Sequence, residues 1–499
     1  MAKLTILSTD YFTVVKKLRY QSNLSQVARC LNHMKKTWLI QLTAVAFILA
    51  SCNENDESVV PLPQSTTEIF NKAVIKVMPA GNGWVALKET LQPQLYYTVP
   101  KREISWMNES FLELTSFTPP PFAEEEPQGP YPKKYGWSLV DMVAHPSGEV
   151  TSVSVNLDLS YGSDYTWGVK VQRFRNGNPV AEIDLTQLPV LIPQIPASPV
   201  SLDRVKLAVF GEDVYVVARW KHNIIEAHRL SFKNNKFKVE WHELVEPSHY
   251  VAMIGIIAGG FDNFHQGDRY CFVYCGADSQ GNLYVAAPSS EDLLINHDPH
   301  FGENLSAQAN PADYDFGAAV LTKFSPGGER VYSKLEGMSR QKRLISMRVD
   351  DSGVYFIGRV KTGQQSNSWD AWVLKTEPST GETIYESTID VRDGDMFWDL
   401  GPLGDGGAIA VGTTDYVQNP SGLSVSDARR AAAIRLDAQG KMVGEIELPQ
   451  GPAERGSEAM FVNVLSNGSV VFAGAHNAPG THAAVYSDGF IAVRDLEEN

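Results

Sequence analysis

Cysteine is scarce in this chain of 499 residues, which contains four. Cys30 and Cys52 lie near the N-terminus, so only Cys271 and Cys275 remain for the rest of the chain. These two are four positions apart in a segment with the pattern of a β-strand, which separates them by about 13 Å at roughly 3.3 Å per residue. That distance is too long for a disulfide. The sequence therefore excludes a fold held by several disulfides and predicts two buried thiols.

Positive charge is also in short supply. The chain has 43 Lys and Arg against 58 Asp and Glu, and residues 52–499 alone have 36 against 57, a formal net charge of −21. Nucleic-acid binding needs basic groups that neutralise phosphates, and a grip on anionic lipid needs a polybasic patch. The composition therefore argues against both kinds of partner.

Motifs of the common catalytic sites are missing. The chain has no Gly-x-Ser-x-Gly, no His-Glu-x-x-His and no Gly-x-x-x-x-Gly-Lys segment, which are typical of hydrolases, zinc proteases and phosphate-binding loops. Close pairs of acids occur at three places: Asp313 and Asp315, Asp350 and Asp351, and Asp393 and Asp395. These pairs fit turn capping better than calcium binding, because Asp side chains satisfy turn backbones and none has the full spacing of a calcium loop. No cofactor and no metal site are predicted.

An export signal is the clearest feature that is present. Met34-Lys35-Lys36 is positive, residues 38–49 are apolar, and the segment ends in Leu49-Ala50-Ser51-Cys52. The apolar stretch is short for a membrane span, which needs about 20 residues. Its end resembles the lipobox of bacterial lipoproteins, which implies cleavage before Cys52 and a lipid on the thiol of that residue. The alternatives are an uncleaved anchor helix or a buried core helix.

This signal divides the chain into four parts. Residues 34–51 are the predicted signal peptide, and residues 1–33 precede it without a fold pattern, as expected if translation starts at Met34. Residues 52–70 are a polar, acidic and flexible tether, and residues 71–499 form the folded domain. Acidic residues just after the cysteine resemble lipoproteins of Bacteroidota-type bacteria, which implies an outer-membrane lipoprotein on the cell surface or the periplasmic face. The alternative is a spacer without routing information.

One pattern recurs seven times in the folded domain. A turn rich in Gly, Asn, Asp or Ser leads into a short apolar strand, and in the later units an apolar strand and a Gly-containing hairpin turn follow. The seven turns lie at residues 81–83, 146–148, 211–213, 279–281, 351–353, 404–407 and 466–468. Their spacing of roughly 55–70 residues is somewhat longer than that of common propeller repeats.

These units resemble bacterial β-propeller repeats, including those of quinoprotein-like propellers, over most of residues 75–499. A small antiparallel sheet cannot bury both of its faces alone, and radial stacking of several sheets buries them. The predicted fold is therefore all-β, a β-propeller with seven blades; a pair of β-sandwiches and a β-solenoid are the alternatives. The last unit shows three strands, so residues 74–77 are expected to complete it. Residues that would hold a quinone were not found.

The long insertions fall between the second and third strands of the later units, at residues 288–316, 361–370, 414–429 and 475–488. Equivalent connections of a propeller leave from one face, here called the loop-rich face, and long loops gathered on one face usually bind partners. The aromatic and His residues of these loops, and of an earlier equivalent loop, are the candidate binding residues: Tyr161, Tyr165, Trp167, His297, His300, Phe301, Tyr314, Trp369, Tyr416, His476, His482 and Tyr486.

Aromatic rings with polar neighbours stack on sugars or pack against proteins. We therefore expect a lipid-anchored propeller that binds a glycan or an envelope protein through the loop-rich face. One alternative is an envelope glycan hydrolase or lyase with carboxylates at the channel mouth, and another is a structural scaffold subunit of an envelope complex. For each single ring, the competing interpretation is that it pins its own loop to the propeller.

Overall fold

The computed structural model describes residues 64–90, 101–120, 123–125, 133–158, 165–185, 205–220, 224–245, 273–288, 319–336, 342–362, 369–392, 394–415, 429–451, 456–477 and 486–496. The regular elements of these residues are β-strands, which group into seven antiparallel sheets. Over the same ranges, the chain has no helix with the length and apolar character needed to cross a membrane. The all-β prediction is confirmed.

Each sheet is one blade, and the blades are numbered along the chain. The first described strand is β1 (Ser65–Phe70), and blade 1 follows with β2 (Ala73–Ala80), β3 (Gly83–Thr90), β4 (Lys101–Met107) and β5 (Glu113–Phe117). Blade 2 contains β6 (Ala123–Glu125), β7 (Lys133–Ala144), β8 (Val150–Asp158), β9 (Tyr165–Arg175) and β10 (Asn178–Asp184). Blade 3 contains β11 (Val205–Phe210), β12 (Asp213–Trp220), β13 (Ile224–Lys233) and β14 (Lys236–Val245).

The second half of the domain repeats this plan. Blade 4 contains β15 (Tyr274–Ala277), β16 (Leu283–Pro288), β17 (Ala319–Phe324) and β18 (Arg330–Glu336). Blade 5 contains β19 (Lys342–Asp350), β20 (Gly353–Lys361), β21 (Trp369–Thr376) and β22 (Thr383–Ile389). Blade 6 contains β23 (Met396–Pro402), β24 (Ala408–Thr414), β25 (Arg430–Leu436) and β26 (Met442–Glu445), and blade 7 contains β27 (Ser457–Val464), β28 (Ser469–Asn477), β29 (Tyr486–Asp495) and β1.

The blades form a closed ring around one axis. In blade 2 the short β6 precedes the regular four strands, so β7 is counted as the first strand of that blade. The first strands of successive blades contact one another in the order β2, β7, β11, β15, β19, β23, β27 and back to β2. Blade interfaces are apolar, as the Val-rich contact between blades 2 and 3 illustrates with Val153, Val155, Val169 and Val171 against Val214, Val216, Ala218 and Leu230. Burying one such side chain contributes about 1.5–3 kcal/mol. The seven-bladed propeller that the repeat predicts is confirmed.

The ring closes through a strand that the sequence placed in the tether. Residues 65–70 form β1, which pairs antiparallel with β29 from Ser65 opposite Val493 to Phe70 opposite Asp488. The prediction that residues 74–77 complete the last blade is wrong, because they lie in the innermost strand of blade 1. Burial explains why β1, and not residues 74–77, is the outer strand of blade 7. Val74 and Val77 are fully buried, whereas β1 alternates between half-buried and exposed residues, as an outer edge strand does.

The two faces of the ring differ in the length of their connections. Turns between the first and second strands, and between the third and fourth, have two to six residues and share one end of the blades, here called the short-turn face. The longest connections, of 20, 28 and 30 residues, follow β10, β14 and β16 and leave from the opposite, loop-rich face. The sequence prediction that the insertions lie between second and third strands matches this topology.

Turns of neighbouring blades pack against each other on the short-turn face. Gly148 has a φ of 80°, and a Cβ added to it would come within 2.7 Å of the backbone nitrogen of Gly81 in blade 1. His145 bonds to the carbonyl of Gly211, and the hydroxyl of Tyr215 donates to the carbonyl of Gly281 at 2.6 Å. The glycine-rich turns of the repeat therefore join blades as well as strands.

Candidate functional site

The axis of the propeller contains a cavity of about 170 Å³ lined by residues from all seven first strands. Five of these strands carry a β-bulge at an equivalent place, where the register shifts against the second strand. A bulge adds one residue and re-aims its neighbour. The five bulges therefore turn two consecutive residues toward the cavity in each strand: Ile75 and Lys76, Val140 and Asp141, Ile345 and Ser346, Trp398 and Asp399, and Met460 and Phe461.

Charged groups in this cavity connect three blades at a time. Lys76 of blade 1 donates to Asp141 of blade 2 at 2.9 Å, and the other carboxylate oxygen of Asp141 accepts the backbone N–H of Leu207 in blade 3 at 3.0 Å. The same arrangement recurs across the ring. There, Arg348 of blade 5 donates to Asp399 of blade 6 at 2.9 Å, and Asp399 accepts the backbone N–H of Val462 in blade 7 at 3.2 Å.

These bonds occupy both carboxylates, and they act on the pKa of the charged groups around them. Burial alone would raise the pKa of Asp141, but the ammonium groups of Lys76 and Lys206 outweigh it and hold that pKa below its ordinary value. The carboxylate of Asp399 raises the pKa of Arg348 against the effect of burial. A third cavity carboxylate, Glu89, accepts from Arg102 at 2.9 Å. Each of these three acids is therefore paired with a cation.

Buried polar groups also gather where the strands reach the loop-rich face. In blade 5 the guanidinium of Arg359 lies over the ring of Trp369, 4.1 Å from its centroid. Asp395, at the entry to blade 6, is fully buried and accepts the backbone N–H of Val391 at 2.6 Å. Burial, together with the charges of Asp390 and Asp370, raises the pKa of Asp395 to about 7 despite that bond.

In blade 7 a serine contacts a histidine, and the histidine contacts an acid. The Oγ of Ser457 lies 2.9 Å from His476 Nδ1, and His476 Nε2 lies 3.6 Å from a carboxylate oxygen of Glu68 on β1. Although these residue types resemble a hydrolase triad, the Ser457 hydroxyl is 1% exposed and also accepts the backbone N–H of Gly451 at 2.7 Å. The group thus ties the closing strand to blade 7 and does not present a nucleophile.

Of the twelve candidate binding residues, the structure describes the side chains of two. Trp369 is 5% exposed beneath Arg359, and His476 is 4% exposed and stacks on Phe490 with centroids 5.3 Å apart. Both pack against their own scaffold, so neither offers an open ring to a ligand. The backbones of Tyr165 and Trp167 in β9 and of Tyr486 in β29 are placed. The others lie outside the described residues: Tyr161, His297, His300, Phe301, Tyr314, Tyr416 and His482.

Within the described ranges, one group of side chains has the composition and geometry of a metal site. Glu226 and His228 are two positions apart on β13, and His242 lies opposite His228 on β14. Glu226 Oε2 is 3.3 Å from His242 Nε2 and 3.7 Å from His228 Nε2, and the two imidazoles stack with centroids 4.1 Å apart. The sequence patterns predict no metal site, and these three residues are not among the candidates that they indicate.

A signal for this group was present in the sequence. The segment Ile224-Ile225-Glu226-Ala227-His228 places two polar residues on one face of an otherwise apolar strand. Asn234 and Asn235 form the turn with φ values of 54° and 55°, which a hairpin of this kind requires. Counting back across that turn, with one bulge after Arg229, brings His242 opposite His228. The bulge is the step that periodicity alone does not show.

The fold defines the class of the molecule as a seven-bladed β-propeller. No family model and no curated protein matches the chain. Among solved structures, the β-propeller domain of the trilobed protease from Pyrococcus furiosus is similar, with 8% identity over 86% of this chain and 97% of that one and a TM-score of 0.41. That domain is described as having an open velcro topology.

Two further structures show the same kind of likeness. A protein of unknown function from Dyadobacter fermentans matches with 11% identity over 86% of this chain and 96% of that one, at a TM-score of 0.39. A prolyl endopeptidase matches with 10% identity and a TM-score of 0.39 over 82% of this chain, which spans 46% of the length of that enzyme. At these identities the likeness extends to the fold alone.

Proposed function

We propose that this chain is an exported, lipid-anchored β-propeller that binds a protein or glycan partner through its loop-rich face. One observation carries the proposal: the connections of 20, 28 and 30 residues all leave from that face, while turns of the other face have two to six residues. Long loops gathered on one face of a rigid scaffold are typical of a binding surface.

Binding is favoured over catalysis by the state of the polar groups that line the axis. Asp141 and Asp399 are each held by a cation and by a backbone N–H of the next blade. A glycan hydrolase needs one carboxyl that gives up a proton and a second that stays ionised and accessible. Within the described part of the cavity, the carboxylates instead hold the ring together.

Exchange of the longest loop tests the binding face. In the variant, the 30 residues between Pro288 and Ala319 are replaced by a three-residue connection like that between Trp220 and Ile224. We expect the full chain to be captured on a glycan array or to cross-link to an envelope protein of the producing cells, and the variant to lose that capture while unfolding at a similar temperature. A chain that captures nothing in both screens, or a variant that binds like the wild type, would contradict the proposal.

A matched control alters the opposite face. Replacing Asn234-Asn235 by Asp-Gly keeps a turn that accepts positive φ values and changes only the surface of the short-turn face. This control is expected to bind as the wild type does. If it loses binding while the loop variant keeps it, the partner binds the other face.

The anchor is proposed from the lipobox-like segment that ends in Cys52. Cys52→Ala is expected to abolish metabolic labelling by a fatty-acid analogue and to move the protein from the membrane fraction to the soluble fraction. Cys275→Ala, which changes a cysteine of β15 in the folded domain, is the matched control and should stay labelled and membrane-bound. Unchanged labelling of Cys52→Ala would refute lipidation at this residue, independently of the binding experiment.

A further inference from the structure

We infer that Glu226, His228 and His242 bind a divalent transition-metal ion, with zinc as the best match. The site lies in blade 3 and faces blade 2. Val216 and Ala218 on β12 stand opposite His228 and Glu226, and both pack into the apolar interface between these blades. The inference concerns a site separate from the partner-binding surface and stands whether or not that proposal holds.

Distances within the group fit a shared ion and are long for hydrogen bonds. A hydrogen bond from an imidazole N–H to a carboxylate spans about 2.7–3.2 Å, and the contacts of Glu226 with the two histidines measure 3.3 and 3.7 Å. In a tetrahedral zinc site with bonds of about 2.0–2.1 Å, two ligand atoms lie about 3.3 Å apart. The ligand atoms of all three residues lie within 4.8 Å of one another, so small side-chain rotations bring them onto one ion.

The same atoms are buried and lack other partners. Glu226 is 2% exposed and His228 is 1% exposed. Glu226 Oε1, both ring nitrogens of His228 and Nε2 of His242 make no hydrogen bond with the residues that the structure describes. Native proteins rarely leave several adjacent buried polar atoms unsatisfied, and a bound cation satisfies carboxylate and imidazole lone pairs together.

The donor set selects the class of ion. Two imidazoles and one carboxylate suit zinc and its first-row neighbours, whereas calcium and magnesium prefer oxygen ligands alone. Ligands must be deprotonated to bind.

Direct metal analysis of the full chain tests the inference. The protein is purified without a polyhistidine tag, and its metal content is measured by mass spectrometry. We expect about one equivalent of zinc or a neighbouring metal per chain, a fall in Tm on chelation, and recovery of Tm on adding Zn²⁺, because an ion that binds only the folded state stabilises it. Metal below a tenth of an equivalent, together with a Tm that neither chelator nor Zn²⁺ changes, would overturn the inference.

Substitutions assign the bound metal to these residues. Glu226→Gln and His242→Gln are each expected to weaken Zn²⁺ binding by more than about 100-fold in competition with a chromophoric chelator, since changes outside the ligand set already cost about 10- to 100-fold. His145→Gln removes an equally buried histidine of blade 2 that bonds to Gly211 and should keep the full affinity. If the ligand variants fail to fold, Co²⁺ added to the metal-free wild type decides through its visible d–d absorption. Spectra that show no nitrogen ligands, or ligand variants with unchanged affinity, would refute the assignment.

Discussion

The two faces of this propeller satisfy their buried polar groups in different ways. On the short-turn face, Tyr215 donates to Gly281 of the next blade, and Arg173 is enclosed by Glu149 and Glu212 from two blades. Where the strands reach the loop-rich face, the buried indole N–H of Trp369 has no acceptor among the described residues. The turns of the short-turn face thus bond neighbouring blades to each other, whereas this group near the loop-rich face is not bonded within the described scaffold.

Removal of the buried arginine from the short-turn face should have the largest effect. Arg173 is fully buried and donates to Glu149 at 2.7 Å, so Arg173→Met leaves the buried Glu149 with the half-exposed Arg175 as its remaining cation. We expect a loss of about 3–5 kcal/mol in the free energy of unfolding, measured by urea titration.

The neighbouring arginine is the matched control. Arg175 contacts the same Glu149 at 2.6 Å, but half of its side chain is exposed, so Arg175→Met should cost less than about 1 kcal/mol. Equal losses in the two variants would mean that burial does not decide the value of these ion pairs.

A hydroxyl pair sharpens the comparison at a smaller scale. The buried hydroxyl of Tyr215 donates to Gly281 of the next blade at 2.6 Å. Tyr215→Phe should lower the free energy of unfolding in urea by about 1–2 kcal/mol, because it leaves the carbonyl of Gly281 without this donor. Tyr385 has a buried hydroxyl with no partner among the described residues, so Tyr385→Phe should be neutral or stabilising. A reversed order would show that the inter-blade bond contributes nothing.

His145 predicts a pH dependence from the short-turn face. Its ring bonds to Gly211 and Thr151, and burial next to Arg173 lowers its pKa from 6.5 to about 4. The unfolded chain therefore takes up a proton that the folded chain excludes, so stability is present above pH 6.5 and is lost as the pH falls toward 4. His145→Gln should flatten the unfolding free energy between pH 6.5 and 4.5. An unchanged slope would contradict the role of this residue.

Asp395 predicts the opposite dependence from the loop-rich face. Its pKa is raised from 3.8 to about 7, so its protonated form favours the folded state below pH 3.8, and that contribution is lost as the pH rises through 7. Asp395→Asn keeps an acceptor for the N–H of Val391 and has no charge to bury. The variant should therefore gain stability relative to the wild type between pH 5 and pH 8. A gap that stays constant with pH would contradict the prediction.

Periodicity predicted the scaffold well, because each turn and strand of a blade is local in sequence. The seven turns and the position of the insertions follow from segments such as Asp351-Ser352-Gly353. Contacts between distant segments were not predictable in this way. Lys76 and Asp141 meet because two bulges occupy equivalent places 65 residues apart, and a bulge leaves no fixed mark in composition.

The candidate site shows the same limit. The sequence pattern places Trp369 and His476 in loops, yet each lies at a strand end where its ring packs against its own blade. Residues 65–70 read as tether because Ser, Thr and Glu alternate with few apolar side chains, although an outer strand needs no more than one apolar row. The order of the strands can be predicted from the sequence. Whether a residue at a strand end is buried or exposed depends on a shift of one or two residues in where the strand ends, which the sequence pattern does not determine.

The closing strand imposes an order in time. β1 is the first of the described strands, but its pairing partner β29 lies more than 400 positions later, so β1 is synthesised before the other described strands and can pair only after all of them. Until the C-terminal strand arrives, the polar groups of β1 remain open to other edges. If Cys52 is lipidated, β1 is also the strand that any pull from the membrane loads first. The pairing of β1 with β29 would then be the last contact of the ring to form and the first to break under force.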